Sequence, residues 1–376
     1  MVILDYNATT PVESEVISEM LPYFNQTWGN PSSKHLMGQR ASEALEVARL
    51  RVSSLIGANP SEIIFTSGGT EATNLAIMGG INQKWPFVGR LGFGGIISSV
   101  LEHPATIECL KAQQSRGIAF KLVSANRNGQ LNINHLENLL WWQPRLATFI
   151  HAHNETGTIQ PISLVSSILK KFGVLLHVDA SQSVGKIRVD VNELGADFLT
   201  IAGHKFGAPK GIGALYARKG TILNSQIFGA GQENGLRGGT QNVPYIVGLG
   251  IAASLVNLKK KQELAELRNL LWRLLSGNLG DRIRKYTHEK HSLPNTLFVS
   301  IKHVLSFELL KGLPTLIVST GSACHDGTRE GSSILRAMGE SEDWIRGTVR
   351  FSLGDSTTKG DVEKAAQMIS GEISNK

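Results

Sequence analysis

Short apolar segments alternate with helical segments between residues 62 and 217 of this 376-residue chain. Helix-like stretches, such as residues 71–81 and 162–172, lie between several of the apolar runs. Six runs have the length and composition of buried strands, namely 62–67, 95–100, 146–153, 173–180, 197–202 and 212–217. This alternation is typical of βαβ units, so it predicts an α/β fold with a mostly parallel sheet.

The pattern changes near Gly250. Leucines and Trp272 recur at helical spacing between residues 262 and 277, which predicts an amphipathic helix that ends at Gly277. The segments that follow it are shorter and have an α+β pattern. We therefore expect a second, smaller domain from about residue 250 to the end of the chain.

Composition narrows the possible functions. The formal charge of +7 comes from scattered residues, and no alternation of basic and aromatic residues indicates nucleic-acid binding. No apolar run reaches the roughly 18 residues of a membrane helix, and the N-terminus has no pattern of a secretory signal or transit peptide. Two cysteines do not make a disulfide framework. We expect a cytoplasmic protein that binds neither membranes nor nucleic acid.

Polar residues follow five of the predicted strands. In open parallel sheets, ligands bind beyond the carboxyl ends of the strands. The residues at those ends are 67–70, Glu102 and His103, Asn154 and Glu155, 179–182, and 203–205. Together they offer an anion-binding turn, an imidazole, an amide, a carboxylate and a lysine, so we expect them to converge on one pocket.

Lys205 and Asp179 suggest the chemistry of that pocket. The amine of Lys205 can condense with a carbonyl group if desolvation or a nearby cation lowers its pKa. The alternative is a phosphate-binding or surface lysine, although Lys210 is the better candidate for an ordinary cation. A carboxylate at Asp179 needs a partner, such as a protonated pyridine nitrogen. The alternative is a structural aspartate that caps a helix.

Two further strand ends allow both functional and structural interpretations. The backbone at Gly69 and Thr70 begins a predicted helix, where free N–H groups can bind an anion or simply form an ordinary helix start. His103 can stack on an aromatic ring or move a proton, but it can equally be a structural histidine. His151 and His153 share one face of a strand without an acidic or cysteine partner at ligand spacing, so we expect no metal site.

Two residues of the C-terminal part are candidates for catalysis and substrate binding. Cys324 lies in a segment of Gly, Ser, Asp and His residues that is typical of a loop, where a thiol is accessible as a nucleophile. Cys109 lies on a predicted helix face and is expected to pack in the core. Arg350 begins a predicted strand and is suited to bind a carboxylate, with Arg346 as the competing candidate.

Eight motifs in order resemble those of the NifS-like cysteine desulfurases and the related selenocysteine lyases. They are "LDYNATTP", "GNPSS", "FTSGGTEATNLAI", "HNETG", "HVDASQSVGK", "GHKFGAPKGIGALY", "GGTQNVP" and "GSAC" followed by "SSILRAMG". The resemblance runs from Leu4 to about Gly354. It implies a fold type I pyridoxal-phosphate enzyme of the class V aminotransferase group, with a seven-stranded type of sheet. We predict a large cofactor-binding domain at 13–250 and a small domain, formed by 1–12 and 251–376, that carries the cysteine loop.

The resemblance also implies a role for each candidate residue. Lys205 matches the lysine that binds pyridoxal 5'-phosphate covalently, and Cys324 matches the nucleophile that takes sulfur from the substrate. The resemblance assigns the ring nitrogen to Asp179, the ring hydroxyl to Gln182, and ring stacking with proton transfer to His103. The implied phosphate contacts are Gly69, Thr70, His204 and, from the other subunit of a homodimer, Thr240. Asn154 and Arg350 match the residues that bind the substrate carboxylate.

The implied activity is conversion of L-cysteine to L-alanine, with sulfur held as a persulfide on Cys324 for an unidentified acceptor. A selenocysteine lyase is the alternative: the "ACH" form and "LPNT" resemble those lyases, whereas the loop length before "SSILRAMG" resembles the desulfurases. Ala202 replaces a serine that touches the phosphate in many relatives. Cys324 argues against an ordinary aminotransferase, because transamination needs no thiol. An inactive scaffold is disfavoured because it would need none of Lys205, Asp179, His103 or Cys324.

Overall fold

The computed structural model describes residues 1–81, 94–320 and 331–374. Its strands are β1 Val2–Ile3, β2 Ile63–Thr66, β3 Ile96–Ser99, β4 Phe120–Val123, β5 Leu146–Ile150, β6 Leu175–Asp179, β7 Phe198–Ala202, β8 Gly213–Ala217, β9 Ile283–Lys285, β10 Thr296–Ile301, β11 Leu316–Ile317, β12 Ser319–Thr320 and β13 Thr348–Ser352. Its helices are α1 Ser14–Met20, α2 Pro22–Asn25, α3 Leu36–Leu55, α4 Gly69–Gly80, α5 Pro104–Ser115, α6 Ile133–Leu140, α7 Ile162–Lys171, α8 Val191–Leu194, α9 Val243–Leu255, α10 Leu258–Leu279, α11 Ser306–Lys311, α12 Ser333–Ala337, α13 Glu342–Ile345 and α14 Lys359–Ser374.

The main sheet has seven strands in the order β2-β8-β7-β6-β5-β3-β4. The neighbours from β7 through β6, β5 and β3 to β4 pair in parallel, whereas β8 pairs antiparallel with both β7 and β2. The α/β class and the mostly parallel sheet are therefore confirmed. All six predicted strands are present, and β4 is a seventh that the sequence pattern did not predict.

Helices cover both faces of this sheet, as a sheet of buried parallel strands requires. One large apolar cluster includes side chains of α3, α7 and α9 on one side, and a second cluster joins α4 and α5 to the other side. The strands in the middle read as continuous apolar runs because both of their faces are buried; every residue of β5 and β7 is buried.

A four-stranded antiparallel sheet, in the order β12-β13-β10-β9, lies in the C-terminal part. Its apolar side chains form a third cluster with α10, α14 and the N-terminal strand β1, which pairs in parallel with β11. Most buried apolar side chains from α10 onward belong to this third cluster, although Phe298 of β10 and Leu335 of α12 belong to the large cluster. The domain bounds 13–250 and 1–12 with 251–376 stay a prediction.

The predicted end of the amphipathic helix was wrong. The helix α10 continues through Gly277 to Leu279, and Gly280 is its C-cap with a φ of 53°. Leu275 and Leu279 are both buried in the C-terminal cluster, so packing continues the helix past a glycine that would otherwise favour its end. Within the described residues, no helix combines the length and apolarity that crossing a membrane requires.

Candidate active site

A cavity of about 220 Å³ lies at the carboxyl ends of the parallel strands. Thr73, Ala105 and Ile150 line it without having been site candidates from sequence, and Ser181 and Ala202 line it as well. Eight of the predicted site residues also line it, namely Gly69, Thr70, His103, Asn154, Asp179, Gln182, His204 and Lys205. The expectation that the strand ends converge on one pocket is thus confirmed, whereas the role of each side chain stays a prediction.

Asp179 is the last residue of β6 and is only 5% exposed. Its Oδ1 accepts a hydrogen bond from the Ser181 backbone N–H at 2.9 Å, which fixes the carboxyl group against the turn that follows the strand. A carboxylate buried in this way is suited to a cationic partner inside the cavity.

Lys205 follows β7 in a short 3₁₀ turn. Its Nζ donates hydrogen bonds to the backbone oxygens of Asn7 at 2.7 Å and Ala8 at 2.9 Å. Burial, followed by the positive charge of Arg350, lowers the pKa of Lys205 to about 8. A substantial fraction of this amine is therefore neutral near pH 8, which is the form that can attack a carbonyl carbon.

The N-terminus of α4 forms a cradle for an anion. Gly68 precedes the helix with a φ of 155°, and Gly69 begins it. A Cβ placed on Gly69 would lie 3.0 Å from Ser181 Oγ and 3.1 Å from Ala202 Cβ, so a larger residue would press against this wall. Ser181 thus brings a hydroxyl to the wall where Ala202 has none. Free N–H groups and the helix dipole favour an anion there.

His204 lies beside this cradle, with its Nδ1 at 3.1 Å from Thr9 Oγ1. Burial, followed by the charges of Lys205 and Lys210, lowers the pKa of His204 to about 4, so the imidazole is neutral at pH 7. If the Thr9 hydroxyl donates to Nδ1, the proton of the ring lies on Nε2 and remains available as a donor.

His103 is the N-cap of α5, and its Nδ1 accepts a hydrogen bond from the Ala105 backbone N–H at 3.1 Å. The capping bond holds the ring at the cavity wall. Glu102, the preceding residue, accepts hydrogen bonds from Ser99 Oγ at 2.5 Å and Ile150 N at 3.2 Å. Burial raises the pKa of Glu102 to about 8. This carboxyl group is therefore mostly protonated at pH 7.

Arg350 on β13 lies beside the Asn154 backbone. Its Nη1 donates to Asn154 O at 3.0 Å, and its Nη2 pairs with Asp5 Oδ1 at 2.7 Å. The buried Nε has no hydrogen-bond partner among the described residues. Arg346, the competing candidate, is mostly exposed and lies 4.0 Å from Glu342. The structure thus brings Arg350 rather than Arg346 to the neighbourhood of Asn154.

Arg350 and Thr240 are the two predicted residues of the described part of the chain that do not line the cavity. Thr240 is exposed and lines a separate hollow with Trp28 and Asn30, so any phosphate contact that it makes must be to another subunit. Cys324 lies outside the described residues. Cys109 is buried in α5, where burial raises the pKa of its thiol to about 11, so the expectation of a packing role for Cys109 is confirmed.

Sequence reasoning missed Asn7, a buried residue that connects the parts of the site. Its backbone O accepts from Gln182 Nε2 at 3.0 Å and from Lys205 Nζ. Its Oδ1 accepts from Lys186 Nζ at 2.7 Å, and its Nδ2 donates to Thr296 Oγ1 at 2.9 Å. The motif that contains Asn7 was recognised, but no sequence signal shows contacts with residues so far along the chain.

The comparisons with known proteins agree with this geometry. The model of the family "Aminotransferase class-V" matches residues 2–365. The chain belongs to the class V aminotransferase family.

Among its relatives, "Cysteine desulfurase IscS" of Salmonella paratyphi C (strain RKS4594) is 38% identical over 98% of this chain and 92% of that protein. A solved structure described as a NifS-like protein has a TM-score of 0.91 at 35% identity and covers all of both chains. Another, described as SspA in complex with cysteine, has a TM-score of 0.82 at 31% identity over 95% of this chain and all of that one. The predicted family and the fold type I architecture are thereby confirmed.

Members of the class V aminotransferase family depend on pyridoxal 5'-phosphate. The residues present here fit that group. The glycine wall at α4 and the hydroxyl of Ser181 suit a phosphate, the buried Asp179 suits a protonated ring nitrogen, and the amine of Lys205 suits an aldehyde. The cavity therefore has the donor set that the family's cofactor requires.

Proposed function

We propose that this chain is a pyridoxal-phosphate-dependent cysteine desulfurase that converts L-cysteine to L-alanine. The observation that carries the proposal is that Lys205 and the buried carboxylate of Asp179 line one cavity, beside a helix N-terminus suited to an anion. Burial lowers the pKa of Lys205 to about 8. The relatives named as cysteine desulfurases and the neighbour that binds cysteine favour cysteine over selenocysteine. Selenocysteine lyase activity is accordingly the less favoured alternative.

The residues that would hold the cofactor divide by the chemistry of its parts. The backbone at Gly69, Thr70 and the neutral imidazole of His204 would bind the phosphate, together with Thr240 of a second subunit. Asp179 would keep a proton on the ring nitrogen, Gln182 would contact the ring hydroxyl and His103 would cover the ring. When bound, pyridoxal 5'-phosphate supplies an electron sink for the bonds at the substrate α-carbon.

Arg350 and Asn154 would hold the substrate carboxylate, which fixes the α-carbon relative to Lys205. Arg350 is well placed for this because Asn154 O already holds its Nη1, so little side-chain entropy is lost on binding. Once released from the cofactor, the Lys205 amine would take the α-proton. A pKa of about 8 suits a base that works near neutral pH.

Cys324 would complete the reaction. Its thiolate attacks the substrate sulfur, a sulfur–sulfur bond forms while the bond between carbon and sulfur breaks, and the remaining three-carbon fragment takes up protons to give alanine. The persulfide on Cys324 then passes its outer sulfur to an acceptor. The homodimer is a part of the proposal that rests on the family resemblance alone. The cytoplasmic location rests on the sequence pattern, and the acceptor is not identified.

Alanine formation from L-cysteine and from L-selenocysteine tests this function. We expect the wild-type protein to form alanine from cysteine, Cys324→Ala to lose that reaction, and Cys109→Ala to keep it. Mass spectrometry of the unreduced protein should show the added sulfur on the peptide that contains Cys324. A yellow protein that forms alanine from selenocysteine alone would contradict the proposal in favour of the lyase.

A further inference from the structure

Lys186 is a buried lysine next to the cofactor cavity that the proposed mechanism does not use. It is 6% exposed and lies four residues after Gln182, in the turns that follow β6. Gly185 allows this turn because its φ is +80° and a Cβ there would lie 2.4 Å from Phe206 Cβ. The turn thus packs directly on the residue that follows Lys205.

The hydrogen bonds of Lys186 fix the orientation of the Gln182 amide. Lys186 Nζ donates to Gln182 Oε1 at 2.6 Å and to Asn7 Oδ1 at 2.7 Å. Gln182 Nε2 donates to Asn7 O at 3.0 Å. The backbone oxygen of Asn7 only accepts, so the amide atom that faces it must be nitrogen, and the atom that faces the Lys186 amine is the oxygen.

This orientation decides what Gln182 offers to the cavity. An amide nitrogen carries two N–H groups, and one of them is used by Asn7 O. Gln182 lines the cavity, so the second N–H is available to a group bound there. The carbonyl oxygen of the same amide is held on the other side by Lys186. The cavity is therefore presented with a donor instead of an acceptor.

We infer that Lys186 is a positioning residue, which holds the Gln182 amide so that an N–H faces an anionic ring oxygen of the bound cofactor. The inference rests on the proposed function, because it needs pyridoxal 5'-phosphate in the cavity. Both acceptors of Lys186 are neutral, and burial together with the cations Lys205, Arg350 and Lys261 lowers its pKa well below the ordinary value. A buried amine without a carboxylate partner adds little stability, which favours a role in orienting its neighbour.

A double-mutant cycle of Lys186→Met and Gln182→Ala tests the inference. The affinity of the apo-protein for pyridoxal 5'-phosphate is measured by equilibrium titration. Because one hydrogen bond to the cofactor is at stake, Lys186→Met should weaken binding by about three- to tenfold, but by less than about twofold in the Gln182→Ala background. The visible absorption maximum of the bound cofactor should shift in the same direction in both single variants.

The control variant is Lys261→Met, which removes a neighbouring cation that pairs with Asp355 at 2.5 Å and not with Gln182. It should change the affinity by less than about twofold. An effect of Lys186→Met that is equal in both backgrounds, or absent, overturns the inference and leaves the proposed function intact. If the wild-type protein does not bind the cofactor, both are refuted. If Lys186→Met does not fold, Lys186→Gln enters the same cycle with the same two outcomes.

Discussion

The ion pair between Asp5 and Arg350 leads to a prediction about substrate binding. The Arg350 and Asp5 side chains are 8% and 23% exposed, and their N–O distance is 2.7 Å. Asp5 therefore already neutralises the guanidinium that we propose for the substrate carboxylate. Replacing Asp5 with asparagine keeps the shape of the side chain but removes its charge.

The expected magnitude follows from the burial of the pair. Exposed ion pairs contribute up to about 1 kcal/mol, whereas removing one partner of a fully buried pair costs about 3–5 kcal/mol. This pair lies between those limits, so Asp5→Asn should lower the free energy of unfolding by about 2 kcal/mol. A carboxylate ligand that pairs with Arg350 should recover most of that loss. A recovery of about 1.4 kcal/mol corresponds to roughly tenfold tighter binding.

L-Alanine, the expected product, is the suitable ligand because it has the carboxylate but no sulfur. Its affinity for the cofactor-loaded protein is read from the change in visible absorbance, and stability is read from urea unfolding. Asp355→Asn is the matched control, since it removes an acid that pairs with Lys261 at 2.5 Å and has no contact with Arg350. Unchanged or weaker binding of L-alanine by Asp5→Asn would refute the idea that Asp5 competes with the substrate.

Three further predictions concern titratable groups that are buried or half-buried. Cofactor uptake by the apo-protein, followed by absorbance in a stopped-flow instrument, should slow about tenfold per pH unit below pH 8, because the pKa of Lys205 is about 8 and only the neutral amine reacts; a flat profile would contradict this. Glu233→Gln should cost about 3 kcal/mol in urea unfolding, since Glu233 accepts both Arg49 Nη1 and Nη2 in a buried pair; a cost below about 1 kcal/mol would count against it. Folded Glu102 keeps its proton up to about pH 8, whereas the unfolded chain releases it near 4.5, so the wild type should lose stability relative to Glu102→Gln as pH rises from 4.5 to 8. Equal unfolding curves for these two proteins at pH 5 and pH 8 would disprove the shift.

The parts of the fold that the sequence predicted are those whose apolar pattern reflects burial. The central strands are buried on both faces, so their apolar runs are continuous and easy to recognise. The strand β4 at the edge was missed because Lys121 interrupts its apolar residues; in the structure, the Lys121 amine lies over the rings of Trp141 and Trp142. Edge strands with partial exposure lack the periodic signal on which such predictions depend.

The site residues that lie at strand ends were also predictable from the sequence. Residues that follow parallel strands lie at one edge of the sheet whatever the rest of the chain does, so Asp179, His103 and Lys205 could be assigned to one pocket from their positions alone. Lys186 could not, because its role depends on a contact with Asn7, which is 179 residues away. Prediction from sequence is therefore limited by how far apart two contacting residues lie along the chain, and not by the chemistry of their side chains.

The N-terminal segment illustrates how much of the site depends on such contacts. Asp5 binds Arg350, and Asn7 O and Ala8 O together accept both hydrogen bonds of the Lys205 amine. The segment therefore contacts two residues with proposed roles, namely Arg350 of β13, for the substrate carboxylate, and Lys205 after β7, for the cofactor. When Lys205 binds a cofactor, its nitrogen loses N–H groups and must leave at least one of these two backbone oxygens without that donor. Cofactor uptake should consequently loosen residues 7–8, and faster amide hydrogen exchange there in the loaded protein than in the apo-protein would be the direct sign of that coupling.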